Sequence, residues 1–304
     1  MNIKYVRSRH ALLKALTRPF LGFVLNPKLK KIPCFGVAGN FTGHLEQAGE
    51  DKDFLTIKTK EAIAPKAIFP TFIPCKKRDF IPSYLKIFPF SSNKIFYPKK
   101  DDNLQMESEC GLICKLEWEN NCVTQIKPIY FCASNDFSIR KDGAKKISEK
   151  KNWGKNSKGI SKNLIPIDEF SPESLINDYR IASYIIRENQ IIEYGENSFV
   201  KDYSYMYEKL ILWMLEKFNE QKDEGPAENI NLYLNQSNQP EMIFISIGAT
   251  RYTDFGEHNY LKKGDKTIIL LYPHSEFSEN DILELVKTNN FSDKRISVLN
   301  NVIK

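Results

Sequence analysis

The first 45 residues of this 304-residue chain contain no aspartate or glutamate, because Glu46 is the first carboxylate. The same stretch holds eight of the 44 basic residues, so the other 259 residues carry 36 basic and 38 acidic side chains. The net charge of +6 therefore belongs to an N-terminal basic segment, the leader, predicted over residues 1–33. A charge run without interleaved aromatic residues or a recognised module is more typical of a solvated tail than of a nucleic-acid site.

Long apolar runs are also missing. The longest candidate in the leader, Phe20 to Leu25, falls far short of the roughly 20 residues that a membrane-spanning helix needs. Lys14 and Arg18 interrupt the apolar stretch that a secretory signal would require. These absences predict no membrane segment and a soluble, cytoplasmic protein.

Metal and nucleotide motifs based on cysteine, histidine or glycine are scarce. The six cysteines show no C-x-x-C spacing, and none of the four histidines stands at ligand spacing from a cysteine pair. A disulfide framework and a zinc site are therefore disfavoured, and a reducing compartment is expected. No G-x-G-x-x-G or P-loop pattern is present, which argues against a nucleotide loop.

The rest of the chain has enough apolar residues to fold. A hydrophobic fraction of 41% and an aromatic fraction of 12% supply a packed core and exclude wholesale disorder. The length allows one large domain or two ordinary ones, and the elements of residues 34–304 predict an α+β architecture, mostly β, with one long helix. The predicted strands are 106–118, 124–133, a hairpin around 179–192, 230–234, 242–247 and 266–272. The predicted helices are 204–221 and a final one from Ser278 to about 288, while 141–162 is expected to be a lysine-rich loop.

Two glutamates alternate on a predicted strand. Glu107 and Glu109 lie two residues apart and would project from the same face. Two neighbouring carboxylates repel unless a cation or a proton lies between them, and a hard divalent cation would resolve this. Asp136, at the end of the next predicted strand, offers a third carboxylate. The alternative is that the two glutamates line the solvated face of an edge strand.

Single residues elsewhere could also take part in chemistry. His44, in a glycine-containing stretch close to Glu46, could orient and deprotonate water, or it could be a structural histidine in a turn. Lys155 could neutralise charge that develops on a substrate oxygen, or it could simply be solvated within its lysine-rich loop.

Five motifs of this chain, together with the order in which they occur, resemble those of the fumarylacetoacetate hydrolase superfamily. The resemblance covers residues from about Cys34 to Tyr272. The family patterns G-x-N-Y-x-x-H-x-x-E, E-x-E, N-D-x-S-x-R, W-x-x-G-K and G-T-P-x-G followed by L-x-x-G-D are matched here by Gly39–Glu46, Glu107–Glu109, Asn135–Arg140, Trp153–Lys155, and Gly248–Thr250 with Leu261–Asp265.

The resemblance implies a mixed β-sandwich roll, usually homodimeric, that holds Mg²⁺ or Mn²⁺. By that resemblance the metal ligands would be Glu107, Glu109 and Asp136. His44 with the acid Glu46 would activate water, and Lys155 would stabilise negative charge. The substrate-binding residues would be Asn40, Arg140 and Thr250. The family substrates are small anionic β-keto or diketo acids, which are cleaved, decarboxylated, hydrated or isomerised on the metal.

Several positions depart from the family pattern. Glu46 stands two residues after His44, where the family acid stands three after, and Lys158 replaces an aspartate that follows the family lysine. Thr250 is displaced by one position and the proline is missing. These changes keep a second hypothesis open, in which the protein is a non-catalytic ligand- and metal-binding protein of the same fold.

Overall fold

The computed structural model describes residues 29–75, 81–99, 102–141 and 143–304. Most of the predicted leader therefore lies outside the described residues. Leu29 and Ile32, at the end of the predicted leader, pack into a hydrophobic cluster with Cys34 and Phe72. No helix in these ranges is long and apolar enough to cross a membrane.

The architecture is α+β and mostly β, as predicted. The large mixed sheet has the strand order β2-β1-β13-β6-β7-β9-β3, with β10 paired to β7, and a second sheet has the order β12-β11-β14-β15-β4. Strands β5 and β8 form a small separate pair. The strands are β1 Cys34–Ala38, β2 Ala67–Phe72, β3 Phe90–Ser91, β4 Lys94–Ile95, β5 Asn103–Gln105, β6 Ser108–Glu119, β7 Cys122–Asn135, β8 Ser138–Arg140, β9 Lys158–Ile160, β10 Ile165–Pro166, β11 Tyr179–Arg187, β12 Gln190–Phe199, β13 Met242–Ala249, β14 Lys266–Pro273 and β15 Ser297–Ile303.

The α-helices that lie wholly within the described residues are α1 His44–Gln47, α2 Ser148–Lys151, α3 Tyr207–Glu220, α4 Ile230–Gln236, α5 Asp254–His258 and α6 Glu279–Thr288. Helix α3 has 14 residues and buries Leu210, Trp213, Met214 and Phe218 against strands β2 and β7. Helix α6 has 10 residues and begins where predicted, because the Ser278 hydroxyl accepts a hydrogen bond from the Asp281 amide.

Two predicted elements are wrong. Residues 230–234 belong to α4 and not to a strand, since the Asn229 side chain caps the helix by accepting from the Leu232 amide. A five-residue apolar run does not distinguish the two periodicities. The lysine-rich stretch 141–162 is not simply a loop, because it contains α2 and β9.

The central hairpin β6–β7 places different chemistry on its two faces. Cys110 and Leu112 point into the main hydrophobic core, opposite Ala133 and Phe131. Since side chains alternate along a strand, Glu109 points to the other face, opposite Ser134. Strand β13 continues this face, pairing Ala249 with Glu109. The strand ends of this hairpin therefore carry the candidate site.

Candidate metal centre

Three buried carboxylates meet at the open end of the β6–β7 hairpin. Glu107 precedes β6, Glu109 lies within it, and Asp136 follows β7, where its amide donates to the Glu107 carbonyl at 3.1 Å. One oxygen of each carboxylate lies within 4.8 Å of one oxygen of each of the others. Each of the three residues is at most 3% exposed, so the solvated-face alternative does not describe them.

Glu109 has no basic partner among the described residues. Its Oε2 accepts a hydrogen bond from the Gly248 amide at 3.1 Å. Burial, together with the neighbouring charges of Asp136 and Glu107, raises the pKa of Glu109 well above its ordinary value. This carboxylate is therefore the member of the three that forms no ion pair within the described residues, although the charge of Lys151 partly opposes the shift.

Glu107 and Asp136 are paired with basic side chains. The Lys151 Nζ donates to Glu107 Oε2 at 2.5 Å and lies 2.9 Å from Asp136 Oδ2, the latter an ion-pair contact without hydrogen-bond geometry. Arg140 donates to Glu107 Oε1 at 2.7 Å. Burial alone would raise the pKa of Glu107, but Lys151 and Arg140 outweigh it and hold that pKa well below its usual range.

Lys158 completes this set from strand β9. Its Nζ lies 2.6 Å from Asp136 Oδ1 and also donates to the Phe137 carbonyl. The residue is fully buried, and burial lowers the pKa of Lys158 to about 8, although Asp136 opposes the shift. Strand β9 reaches Asp136 because Gly159 pairs with Asn135 on β7.

The structure does not bring Lys155 to the carboxylates. Lys155 is exposed and lines a separate surface groove with Trp153 and Tyr97. Helix α2, four residues upstream, presents Lys151 instead. Several lysines occur close together in this segment of the sequence. Helix α2 and strand β9 determine which of these side chains point into the protein.

His44 reaches the centre from helix α1. It is 4% exposed, its Nδ1 has no hydrogen-bond partner, and its ring centroid lies 5.1 Å from that of Tyr252. Burial lowers the pKa of His44 to about 4, against the opposing charge of Glu107. The imidazole is therefore neutral at pH 7 and able to accept a proton.

Glu46 is not the acid beside this histidine. Its position two residues on in α1 leaves it exposed. Glu50 is buried instead, and its Oε1 accepts from Arg140 at 2.6 Å and lies 3.6 Å from the Lys150 Nζ. Sequence reasoning missed Glu50, because it stands six positions after His44 and the intervening turn is not a regular helix.

The three predicted substrate-binding residues differ in whether their polar groups remain available to bind a ligand. Asn40 donates to the Tyr205 and Ile247 carbonyls and accepts from the Tyr205 amide, so its amide group is fully used in holding the backbone. Arg140 is likewise engaged with Glu107, Glu50, Gln105 and Tyr252. Thr250 is buried, and its hydroxyl has no partner.

The donor set fits a hard divalent cation. Carboxylate oxygens are the ligands that such ions prefer, and the close approach of three of them needs positive charge between them. The unpaired Glu109 and the unpartnered Thr250 hydroxyl both belong to this corner, where the Thr250 amide donates to the Ser108 carbonyl. A cation there would share the Glu107 and Asp136 oxygens with Lys151 and Lys158.

Comparison with known proteins places the chain as follows. Residues 50–303 match the model of a family described as "Family of unknown function (DUF5718)". No curated protein sequence matches. A structure of 2-keto-3-deoxyarabinonate dehydratase is similar with a TM-score of 0.50 and 13% identity, over 93% of this chain and 82% of that chain.

Two further solved structures are similar at lower scores. A putative fumarylacetoacetate isomerase/hydrolase from Oleispira antarctica has a TM-score of 0.49 and 11% identity, covering 90% of this chain and 93% of its own. A 2-keto-3-deoxy-D-arabinonate dehydratase, complexed with magnesium and 2,5-dioxopentanoate, has a TM-score of 0.49 and 14% identity over 90% and 72% of the two chains. The similarity to the structure with the TM-score of 0.50 confirms the predicted fold.

Proposed function

The chain belongs to the DUF5718 family of unknown function, and we propose that it is a divalent-metal-dependent enzyme acting on a small anionic β-keto or diketo acid, as a hydrolase or decarboxylase. The convergence of the carboxylates of Glu107, Glu109 and Asp136 carries this proposal. A neutral histidine and a buried lysine beside the same carboxylates supply the groups that such chemistry needs.

In this proposal Glu107, Glu109 and Asp136 hold Mg²⁺ or Mn²⁺. When bound, the ion would act as a Lewis acid and orient the keto acid. Glu109 would be the main ligand, since it forms no ion pair within the described residues and accepts only from the Gly248 amide.

The chain's own residues divide the remaining work. His44 accepts a proton from water, because its imidazole is neutral at pH 7 and its Nδ1 is unpartnered. Lys151 stabilises negative charge that develops on the substrate, in the role first assigned to Lys155. The free Thr250 hydroxyl binds a substrate oxygen. Asn40 and Arg140 are positioning residues, because their polar groups are already bound within the protein.

A second candidate is a non-catalytic ligand- and metal-binding protein. The observation that favours it is the number of internal bonds at the centre. Arg140 and Lys151 already bind Glu107, and Lys151 and Lys158 already bind Asp136. A site with its basic groups so fully used could hold a ligand without turning it over.

We also propose a cytoplasmic homodimer with one catalytic domain, because this organisation follows from the family resemblance. The domain is predicted over residues 34–304, and the burial of Leu29 supports a start a few residues earlier. Light scattering of the purified protein tests the dimer, and a monomeric mass would contradict it.

Thermal unfolding with and without metal tests the centre. Wild-type protein should be stabilised by Mg²⁺ or Mn²⁺, by about 2.7 kcal/mol when the ion is at 100 times its dissociation constant. Glu109→Gln should remove this response while leaving every ion pair of Glu107 and Asp136 in place. Glu173→Gln, at an exposed acid remote in sequence, is the matched control and should respond like wild type.

Turnover then separates the two candidates. The enzyme should decarboxylate oxaloacetate or hydrolyse an acylpyruvate, and Glu109→Gln should not. A wild-type protein that is stabilised by the metal yet turns over neither class would favour the binding protein. A wild-type protein with no response to either ion would contradict both candidates.

A further inference from the structure

The surface groove that contains Lys155 is lined by residues that the proposed function does not use. Trp153 and Lys155 belong to the W-x-x-G-K match, yet both face this groove, and none of the three carboxylates lines it. We propose that the groove is a second binding site, for a ligand that joins a planar aromatic ring to a phosphate, as a nucleotide does. The site does not depend on the proposed function and takes no part in the turnover of a keto acid.

The groove offers aromatic surface to a ligand. Four aromatic side chains line it, namely Tyr84, Phe96, Tyr97 and Trp153. Phe96 is 42% exposed, and Ile87, which lies in the same groove, is 39% exposed. Exposed apolar side chains that gather in one concave place are typical of a ligand site.

The rings are held in place by the protein itself. The Trp153 Nε1 donates to the Phe96 carbonyl at 2.8 Å, and the Tyr97 hydroxyl donates to the Asp102 carbonyl at 2.7 Å. Because these polar edges are already bound, the rings present mainly apolar surface to the groove. A planar ligand can stack on side chains that are ordered beforehand without a large cost in conformational entropy.

Positive charge lines the same groove. The charged side chains that line it are three basic and two acidic, namely Lys99, Lys141 and Lys155, with Asp102 and Glu149. All three lysines are exposed, and none of them forms an ion pair within the described residues. Each acid accepts a hydrogen bond from a backbone amide, at 2.8 Å for Asp102 and at 3.0 Å for Glu149. The lysine charges are therefore available to an anion, and lysine is a common partner of phosphate.

The size of the groove suits a ligand that has both parts. Its volume is about 960 Å³, at the upper end of the roughly 300–1,000 Å³ typical of small-molecule sites. A lone phosphate would leave the aromatic lining unused, and a neutral ring would leave the lysines unused. A base, a sugar and a phosphate in one molecule use both.

Calorimetry on the full-length protein at pH 7 tests the site, with EDTA present so that the metal centre takes no part. The probes are AMP, adenosine as the ring without charge, ribose 5-phosphate as the charge without a ring, and phenyl phosphate. We expect AMP to bind at least about tenfold more tightly than adenosine or ribose 5-phosphate, because each of these lacks one set of contacts. Phenyl phosphate distinguishes the two sources of this chemistry. If it binds as tightly as AMP, the site takes aryl phosphates in general, and if it binds more weakly, the site takes nucleotides.

Two variants locate the site, each with a matched control. Trp153→Leu should weaken AMP binding at least about fivefold, as the loss of one stacking contact requires. Trp118→Leu is its control, since Trp118 is also half-buried and its Nε1 also donates to a backbone carbonyl, that of Pro240 at 3.0 Å. Lys141→Met should weaken AMP binding and make it less sensitive to added NaCl. Its control is Lys115→Met, at an exposed lysine of strand β6, and both controls should bind AMP like wild type.

The outcomes separate this inference from the proposed function. Absence of AMP binding, or equal affinities for AMP and ribose 5-phosphate, would overturn the inference and leave the metal centre standing. AMP binding that persists unchanged in folded Trp153→Leu and Lys141→Met would overturn the assignment to this groove. The wild-type titrations decide whether ring and phosphate are both needed, even if Trp153→Leu does not fold.

Discussion

At the residue scale, the centre combines side chains that local spacing could reveal with side chains that it could not. Glu107 and Glu109 share a face because a strand alternates, and Asp136 joins them because β7 pairs with β6 in register. Those positions could be anticipated from the sequence. Lys151 and Lys158 could not, since nothing local distinguishes them from the neighbouring lysines.

The exchange of roles between two lysines is testable. Lys151→Met should reduce turnover by about 10²–10³-fold, because it removes the positive charge that faces the developing negative charge. Lys155→Met is the matched control and should leave turnover nearly unchanged, since that side chain is exposed. Steady-state kinetics measures the turnover of both variants, after circular dichroism has shown that each variant is folded. Equal losses in the two variants would contradict the placement of Lys151.

At the element scale, the short helix α2 is held in place by a buried acid. The Ser148 hydroxyl, at its first residue, donates to Glu228 Oε1 at 2.7 Å and is 2.8 Å from the Tyr84 hydroxyl. Glu228 Oε2 has no partner, and burial raises the pKa of Glu228 to about 8. The acid that supports Lys151 is therefore protonated in the folded protein at pH 7.

This predicts a pH-dependent stability. The folded-state pKa of Glu228 lies above its unfolded-state value near 4.5, so unfolding between these values releases a proton. Stability should fall as pH rises through this window, by up to about 1.4 kcal/mol per pH unit from this group. Glu228→Gln should remove this loss of stability. Its free energy of unfolding relative to that of wild type should therefore increase from pH 5 to pH 8.

Urea unfolding at pH 5 and pH 8 measures this difference, with Glu173→Gln as an exposed control. A difference between Glu228→Gln and wild type that is the same at both pH values would contradict a raised pKa. Local sequence does not reveal this acid, because its side chain is held by Ser148, which is distant in the chain.

At the scale of the whole molecule, the predicted strands were sufficient to indicate a mostly β fold. The start of the domain could not be predicted from the same patterns. The predicted boundary follows Pro33, yet Leu29 is fully buried among Cys34, Phe72 and Phe244. The sequence pattern does not reveal that Leu29 is buried, because the charged residues around it are typical of a solvated segment. The pairing of strands far apart in sequence, such as β1 with β13, was likewise beyond local reasoning.

Substitution of this anchor should destabilise the whole domain. Leu29→Ala in the full-length chain should lower the free energy of unfolding by about 2–5 kcal/mol, because it leaves a cavity in a packed cluster. Leu55→Ala is the control, since Leu55 is 83% exposed and should change the value by less than about 0.5 kcal/mol. Equal, small effects in urea unfolding would place the domain boundary after residue 33.

The two faces of the β6–β7 hairpin have a consequence for misfolding. A slip of one residue would turn Glu109 toward Leu112's side of the sheet and would expel the core residues from it. The slipped hairpin would therefore take Glu109 away from the Gly248 amide and place its carboxylate among the apolar side chains of the main core. Both bulges of the hairpin lie toward its tip, beyond Ile113, so the pairing next to the carboxylates is regular. The end of the hairpin that carries Glu109 therefore disfavours mispairing, whether or not a cation is bound.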